Sequence, residues 1–553
     1  MRQGHTECGR QKGEVAVGGQ LSAVGRKRRG LGGSLALQRQ RRQAASEDSP
    51  RRTRSTRRTT EILRLRYAPL RMTCCWLGAR GLQRRRTAGY LHGRHPALQT
   101  AAEVAAGGRG GSVLVIVLWI TLGLVSIALY FANSMALELR AADNRASAIA
   151  ADQAIEGAAR YVAYVLTTYA TNGVMPDLTE YQAEAVPIGD ARFWIIGRDN
   201  GYPVAHPDRV AFGLVDESSK LNLNTASTNT LGQLPRMTDD ALDGILDWRN
   251  PNSNGGTELY YGMGQSPYQR KGAPFESVDE LRLVYGTTMD ILVGDDLNRN
   301  GILDANEPDE DGNGQVDPGI LEYLTVYSRE PNAHSDGTPL VNMNNEAQLR
   351  ALLQSNFGGG RANQVMTRLG YGTVSRPGAT NAPARGTAVT LNGLLQFYLR
   401  SGLSELEFQQ IYPDLAVSGA AYTAGRVNIN TASATVLSCL PGMDINSAQQ
   451  VVSYRQSNPN NLGSIAWIVD ALGRGSTPIL GLETGDYITT RSFQFMADIA
   501  AVGAYGRGYR RVRFIFDISD GSARILYRQD LTRLGWALGE AVRRQIAGQE
   551  ARG

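Results

Sequence analysis

Twelve residues in the middle of the chain carry the donor pattern of a hard-cation site. Asp296, Asn298, Asn300 and Asp304 put oxygen side chains at positions one, three, five and nine of a loop, Gly301 stands at the sixth, Ile302 offers a backbone carbonyl at the seventh, and Glu307 closes the twelfth. This is the order in which a calcium loop presents its oxygens, with glycine for the bend and a bidentate glutamate at the end. Oxygen donors without thiol or imidazole point to Ca²⁺ rather than a transition metal. A second run, Asp309, Asp311, Asn313, Gln315 and Asp317 around Gly314, repeats the first nine positions. Its twelfth residue is Ile320, which leaves Glu322 or nothing to complete the shell. For both runs the competing reading is an acidic surface turn.

Other chemistry is sparse. Cys8, Cys74, Cys75 and Cys439 form no CxxC pair and no cysteine–histidine cluster with zinc spacing, and His206 and His334 are the only histidines after residue 111, both read as loop residues. No nucleophile with a base, phosphate loop or dinucleotide fingerprint stands out, so no enzymatic activity is expected. A net charge of +6 suggests nucleic acid until it is divided along the chain. Residues 1–111 hold 24 of the 58 Lys and Arg but 6 of the 52 Asp and Glu, which leaves the remainder at about −12. Non-specific affinity for DNA comes mainly from basic side chains meeting phosphate, so the body is a poor candidate.

The elements that position the loop follow from the flanks. Residues 1–111 are rich in Arg, Gly and Ser without helical or strand periodicity and cannot bury a core. They read either as a basic arm for nucleic acid or anionic lipid, or as translated upstream sequence with the true start near Val104; the second is preferred. Ser112 to Ala132 is then uncharged for 21 residues. At about 1.5 Å per residue it reaches about 30 Å, enough to span a bilayer. Residues 133–170 continue with Ala, Leu and Ile at helical spacing, so membrane segment and amphipathic segment read as one rod, with Arg109 favouring a cytoplasmic N-terminus.

A leader ending in Gly110-Gly111 before such a rod resembles a type IV prepilin or type II secretion pseudopilin. The resemblance implies cleavage by a membrane peptidase after Gly111 or Gly110, with Ser112 as the first mature residue. Most relatives carry Glu at mature position five; here that position holds Ile116. A carboxylate there would meet a neighbour's terminal ammonium in a low-dielectric filament core, so a subunit without it cannot make that contact with a subunit above. In that superfamily the K-type minor pseudopilin lacks the Glu and sits at the tip.

Beyond the rod, Ala191–Ile196 and Arg209–Val215 read as a hairpin turning at Asp199-Asn200-Gly201, and Phe493–Val502, Arg510–Asp517 and Arg524–Gln529 as further strands. A sheet divided between 171–219 and 486–540 implies an insert over 220–485. That insert holds an internal repeat: Leu221-Asn-Leu-Asn-Thr-Ala-Ser227 recurs as Val427-Asn-Ile-Asn-Thr-Ala-Ser433, with a degenerate copy at Val341–Asn345. Leu234-Pro-Arg236-Met and Leu440-Pro-Gly442-Met follow at matching distances. Asn-Thr offers an N-cap and Pro-Gly a tight turn, giving helix-hairpin-helix-like units over 221–285 and 427–475, with the calcium-loop region at 295–322 between them. Such hairpins grip DNA phosphate in some proteins and other proteins in others; residues 426–486 carry net charge of about −1, which favours a protein partner.

Together with Tyr260-Tyr261, Pro267-Tyr268, Lys271, Phe275–Leu281 and Leu324–Tyr327, these repeats resemble the K-type minor pseudopilin of type II secretion over residues 109–530. The expected fold is α+β: a type IV pilin-like long helix and antiparallel sheet with a large helical insert. The resemblance implies a structural part at the tip of the periplasmic pseudopilus, anchored once in the bacterial inner membrane. It also implies bound Ca²⁺ and, as partners, the I- and J-type and then H-type minor pseudopilins, the major pseudopilin, the inner-membrane assembly platform and the prepilin peptidase. The alternatives are a membrane-anchored helix-hairpin-helix DNA receptor, as in competence systems, and a hydrolase on a pilin-like stalk.

Overall fold

A computed structural model describes residues 110–550 apart from 171–172, 199–208, 254–255, 264–266, 372, 375–383 and 386–389. The expectations for the basic leader, its three cysteines, Arg109, His206 and the turn at Asp199–Gly201 lie outside the described residues.

Without a proline from Gly110 to Tyr169, nothing interrupts the helical ladder, and these 60 residues form one helix, α1. Among the described helices it is the one long and apolar enough to cross a membrane. Its two halves differ in what they touch. Val113 to Ala146 are exposed throughout, whereas Ala151, Ala154, Ile155, Ala158, Val162, Val165 and Leu166 bury a stripe at helical spacing. The switch falls at Ser147, where the loop between two strands meets the helix. A Cβ on Gly503 or Gly508 would lie 2.4 Å from Ser147 backbone, so only glycine permits that approach.

The stripe packs on a six-stranded antiparallel sheet made of β1 (Val186–Ile188), β2 (Ala191–Ile196), β3 (Val215–Asp216), β4 (Gln494–Val502), β5 (Arg510–Asp517) and β6 (Arg524–Asp530). Its order is β1-β2-β4-β5-β6, with β3 continuing the line of β2 along the same edge of β4. The hairpin is therefore β1–β2, not the anticipated pairing of Ala191–Ile196 with a strand at 209–215. That second segment touches β2 through the Ile196–Phe212 bridge alone, and Gly213 at φ 156° breaks it before β3. On the helix side the sheet shows Phe193, Ile195, Phe495, Ile499, Val512, Phe514 and Phe516. On the other side β4 and β5 carry Asp498, Arg511, Arg513 and Asp517, all buried.

What buries them is residues 217–493, inserted between β3 and β4, together with a C-terminal helix at Gly539–Glu550 that the sequence reading did not anticipate. The insert consists of three units, each opened and closed by a two-residue parallel ladder: Leu221–Asn222 with Leu324–Thr325, Val341–Asn342 with Leu415–Ala416, and Val427–Asn428 with Ile488–Thr489. The copy at 341–345 thus opens a full unit. Its helix Glu346–Arg368 is broken by Gly358 at φ 77°, ψ 166°, as the other units break between their two first helices. One apolar cluster runs from Leu221 to Ile488, so the three units share a core.

Candidate functional site

Two residues in left-handed conformation, Arg299 (φ 60°) and Gly301 (φ 85°), wind the first acidic run into a closed loop. Asp296 accepts from the backbone N–H of Asn300 at 2.9 Å and of Gly301 at 2.8 Å, and Asn300 Oδ1 accepts from Ile302 N–H at 2.9 Å. Glu307 reaches back with both oxygens, to Asn298 N–H at 3.0 Å and Asp304 N–H at 2.9 Å. The loop is therefore held from its first and twelfth positions, which are the two the calcium pattern makes anchors. Asp304 Oδ2 accepts from the side-chain amides of Asn298 at 2.6 Å and Asn300 at 2.9 Å. Asn298 Oδ1 is buried with no hydrogen-bond partner. A buried acceptor without a donor costs on the order of 1–3 kcal/mol, and a cation would relieve it.

The carboxylates do not close on one another as they stand: among the described residues no three His, Cys, Asp or Glu side chains converge as a ligand group. The donors nevertheless fit a hard cation, since the remaining ligands are amide and carbonyl oxygens and a rotation of the Asn298 and Asn300 amides would turn their oxygens inward. Burial holds the carboxyls of Asp296 and Glu307 above the usual range; Arg198 opposes it at Asp296, and backbone N–H donors oppose it at Glu307.

The loop is bolted to the polar face of the sheet. Arg511, fully buried, donates to the carbonyls of Asn298 and Arg299, the latter at 2.8 Å, and Arg198 reaches the same Arg299 carbonyl at 2.9 Å. Arg511 is itself fixed by Asp498, with two bonds of 2.8 Å, and Arg513 adds a third donor to that carboxylate at 2.8 Å. Although burial pushes the other way, these two guanidiniums hold Asp498 far below the usual carboxylate range. Ile302 meanwhile packs with Trp194, Ile196, Val502, Leu538 and Val542 between the sheet and the C-terminal helix.

The second run copies the first half of this geometry thirteen residues on. Gly314 N–H donates to Asp309 at 3.1 Å, Asn313 N–H to Asp311 at 3.1 Å, and Gln315 N–H to Asn313 at 2.6 Å. Its second half goes elsewhere. Asp317 is taken by Arg236, at 3.0 and 3.2 Å, and Glu322, the anticipated closing ligand, by Arg198 at 2.6 and 3.1 Å. Asp309 to Gln315 lie exposed.

The repeated Asn-x-Asn has a mechanical role in every unit. Its first Asn caps the turn by accepting from the second Asn's N–H, at 3.0 Å for Asn222, 2.9 Å for Asn342 and 2.9 Å for Asn428. The second ties the turn to a segment some thirty to fifty residues on: Asn224 to Phe275, Asn344 to Leu391, Asn430 to Leu462 and Trp467. The helices are N-capped by Ser227 and Ser433, at the end of the motif, and not by its Asn-Thr; only in the middle unit does an Asn, Asn345, do so.

The arginines that might have met phosphate are spent inside the fold. Arg249 and Arg455, at matching positions, donate to the carbonyls of Leu223 and Ala226 and of Ile429 and Ala432. Arg426 lies buried between Glu330 and Asp486. Arg236, standing where the other hairpin has Gly442 and sharing its left-handed turn (φ 59° against 77°), points into Asp290, Asp295 and Asp317. The helix that follows each hairpin opens with acid, Asp239 and Asp240 in one and Asp444 in the other. Both features oppose a polyanion. The aromatic motif noted in the sequence forms a cluster of Trp248, Tyr261, Tyr268 and Phe275 in the first unit, and Lys271 pairs with Glu280 at 3.0 Å. Cys439 is buried and free, its thiol pushed up to about 11 by burial. His334 lies in a turn, 3.5 Å from Asp414. Gly111 and Ser112 fall in the first turn of α1, and Ile116 is exposed on it.

Sequence reasoning missed Arg511, Asp498 and Arg198. Asp498 and Arg511 lie on strands and Arg198 just after one, and nothing local in the sequence marks them as covered.

A helix-hairpin-helix motif is recognised at residues 423–460, the first half of the third unit. No curated protein matches the chain. Among solved structures, the GspK–GspI–GspJ complex of the enterotoxigenic Escherichia coli type 2 secretion system is similar over 69% of this chain and 95% of that chain, with a TM-score of 0.32 and 9% sequence identity. A likeness of that size leaves function to be argued from this chain's own residues.

Proposed function

We propose that the chain is a minor pseudopilin of the K type, a non-enzymatic part that caps the tip of a type II secretion pseudopilus. It would be anchored once in the inner membrane with its body in the periplasm. The observation that carries the reading is α1: an apolar half, exposed on all sides and lacking a carboxylate at Ile116, continuing without a break into a half that packs on an antiparallel sheet. A helix so divided suits a subunit that is first held in a bilayer and then packed among other such helices. With Ile116 in place of an acid, it can stand above its neighbours but offers no charge to a subunit above it. The insert then supplies the exposed surface of a cap. I- and J-type minor pseudopilins would lie beneath it, followed by the H type and the major pseudopilin, after processing by the prepilin peptidase and handling by the assembly platform.

The same reading takes the first loop as a calcium site, with Asp296, Asn298, Asn300, the Ile302 carbonyl, Asp304 and Glu307 as donors. Bound there, Ca²⁺ would neutralise the clustered carboxylates and take up the unpartnered Asn298 oxygen. The chain's own part is to fix the loop by Arg511, Arg198 and Ile302, so that order in the loop is transmitted to the sheet.

The helix-hairpin-helix match admits a DNA receptor, but the engaged arginines and acidic helix starts weigh against it. Site-specific cross-linking from the insert in assembled pseudopili tests the choice. One copy per filament, linked to I- and J-type subunits, is expected; copies along the whole shaft, or a gel shift with DNA at physiological salt, would contradict it.

A further inference from the structure

An asparagine followed by glycine carries a covalent chemistry of its own. The glycine nitrogen, with no side chain crowding it, can attack the asparagine side-chain amide, which is one reason asparagine counts among the thermolabile residues. Three such pairs lie wholly among the described residues: Asn300-Gly301, Asn313-Gly314 and Asn392-Gly393. Their sequences offer the same attack, but the fold gives them three different settings.

Asn300 is 1% exposed. Its Nδ2 donates to Asp304 at 2.9 Å, and Arg198 covers Gly301, standing 3.2 Å from where a Cβ would lie. Asn392 is exposed, but its Nδ2 donates to the Thr484 carbonyl at 3.3 Å. Gly393 is buried in extended backbone (φ −163°), with the Gly485 carbonyl 2.2 Å from where its Cβ would lie, so its nitrogen cannot move without parting two segments. Asn313 and Gly314 are both exposed, and nothing comes within 4 Å of a Cβ built on Gly314. The Gly314 N–H bond to Asp309, at 3.1 Å, joins two exposed residues, so water can replace it. The Gln315 N–H donates to Asn313 Oδ1 at 2.6 Å, where it draws electrons from Cγ and can hold the oxygen as it gains charge.

We propose that Asn313 is a site of spontaneous deamidation, and that the fold protects Asn300 and Asn392 from the same reaction. Solvent hydroxide takes the Gly314 N–H proton, and the nitrogen lone pair attacks Asn313 Cγ. The new N–Cγ bond closes a succinimide ring as the Cγ–Nδ2 bond breaks, and Nδ2 leaves as ammonia with a proton from water. Water then opens the ring at either carbonyl. Breaking the new bond leaves aspartate at position 313, and breaking the original peptide bond leaves isoaspartate. The net change is one water consumed and one ammonia released, with no oxidation or reduction. Asn313 Nδ2 now donates to Asp311 at 2.6 Å. A carboxylate at 313 replaces that bond with a contact between like charges, so the tip of the second acidic run should open. The chemistry is independent of the role proposed above.

Incubation of the full chain in detergent micelles with chelator, in warm and mildly alkaline buffer, tests this. Tandem mass spectrometry follows conversion of each amide to acid, and a synthetic peptide of residues 309–317 gives the rate without the fold. Asn313 in the folded chain should convert within several-fold of the peptide's rate. Asn300 and Asn392 should convert at least about tenfold more slowly than Asn313, since each must first open locally at a cost of at least about 1.4 kcal/mol. In urea that unfolds the chain, all three should converge on the peptide's rate. Asn313 still intact when most of the peptide has reacted would overturn the proposal. So would Asn300 or Asn392 converting as fast as Asn313 in the folded chain, or staying slow in the unfolded one.

Discussion

Replacing Asp498 by Asn probes the joint between the loop and the sheet. The side chain keeps its volume, so no cavity opens, and the change is confined to charge. In the native protein the carboxylate accepts two bonds from Arg511 and is approached by Arg513, with side-chain exposures of 0, 0 and 9%. Losing it leaves two buried guanidiniums without their counter-charge. Breaking a buried pair by removing one partner costs on the order of 3–5 kcal/mol. For a domain of ordinary size this lowers the melting temperature by on the order of 10 °C. Because Arg511 also holds the Asn298 and Arg299 carbonyls, the damage should spread. Hydrogen exchange should accelerate at the amides of 296–302 as well as in β5. Adding Arg511→Met, which removes one stranded charge, should recover part of the loss. The depressed titration of Asp498 means that this stabilisation is fully present above about pH 4 and is lost only well below it. A midpoint within 2 °C of the native protein, with unchanged exchange in the loop, would refute the reasoning.

Three further outcomes are expected. Chelation should lower the melting temperature, because a ligand bound only by the native state stabilises it by about 2.7 kcal/mol at a hundredfold excess over Kd. Glu307→Gln should remove most of that dependence, whereas Asp309→Asn, in the run whose second half is paired with Arg236 and Arg198, should leave it in place; differential scanning calorimetry in calcium and in chelator separates the two. Asn224→Ala should cost on the order of 2–4 kcal/mol in denaturant unfolding, since it strands the N–H and carbonyl of Phe275; a loss below about 0.5 kcal/mol would contradict that role. Burial pushes Asp216 up to about 6 against the donors Ser492, Thr431, Ser218 and Asn428. The folded protein therefore binds the extra proton between about pH 4 and about pH 6, and this group's contribution to stability falls as pH rises through that window. Asp216→Asn should flatten that slope in melting curves taken from pH 4 to 7.

Much of this was legible along the chain, for identifiable reasons. Uninterrupted helix-forming residues gave the rod, runs rich in aromatic and β-branched residues gave β4, β5 and β6, and the spacing of oxygen side chains around a glycine marked both acidic loops. The repeat was visible wherever identity survived, at 221–227 and 427–433. It was understated at 341–345, where only the two asparagines persist and the tie from Asn344 to Leu391 closes over 47 residues. Distance in sequence hid the rest. Whether Arg511 faces water or the carbonyls of residues 298 and 299 depends on a contact more than 200 positions away, and an alternating strand reads the same in either case. Arg236 was visible as a departure from Gly442, but only its neighbours in space, Asp290, Asp295 and Asp317, explain a non-glycine residue in a left-handed turn. The C-terminal helix was missed because its apolar face, Val542 and Ile546, is narrow and its purpose is to cover Ile302 and Trp194.

The central claim, that α1 begins as a processed pseudopilin helix, is tested most directly by the mass of the mature N-terminus. Protein purified from membranes of its native host should begin at Ser112, with the methyl group that such processing adds. An intact leader, or a first residue beyond Ala132, would contradict the account.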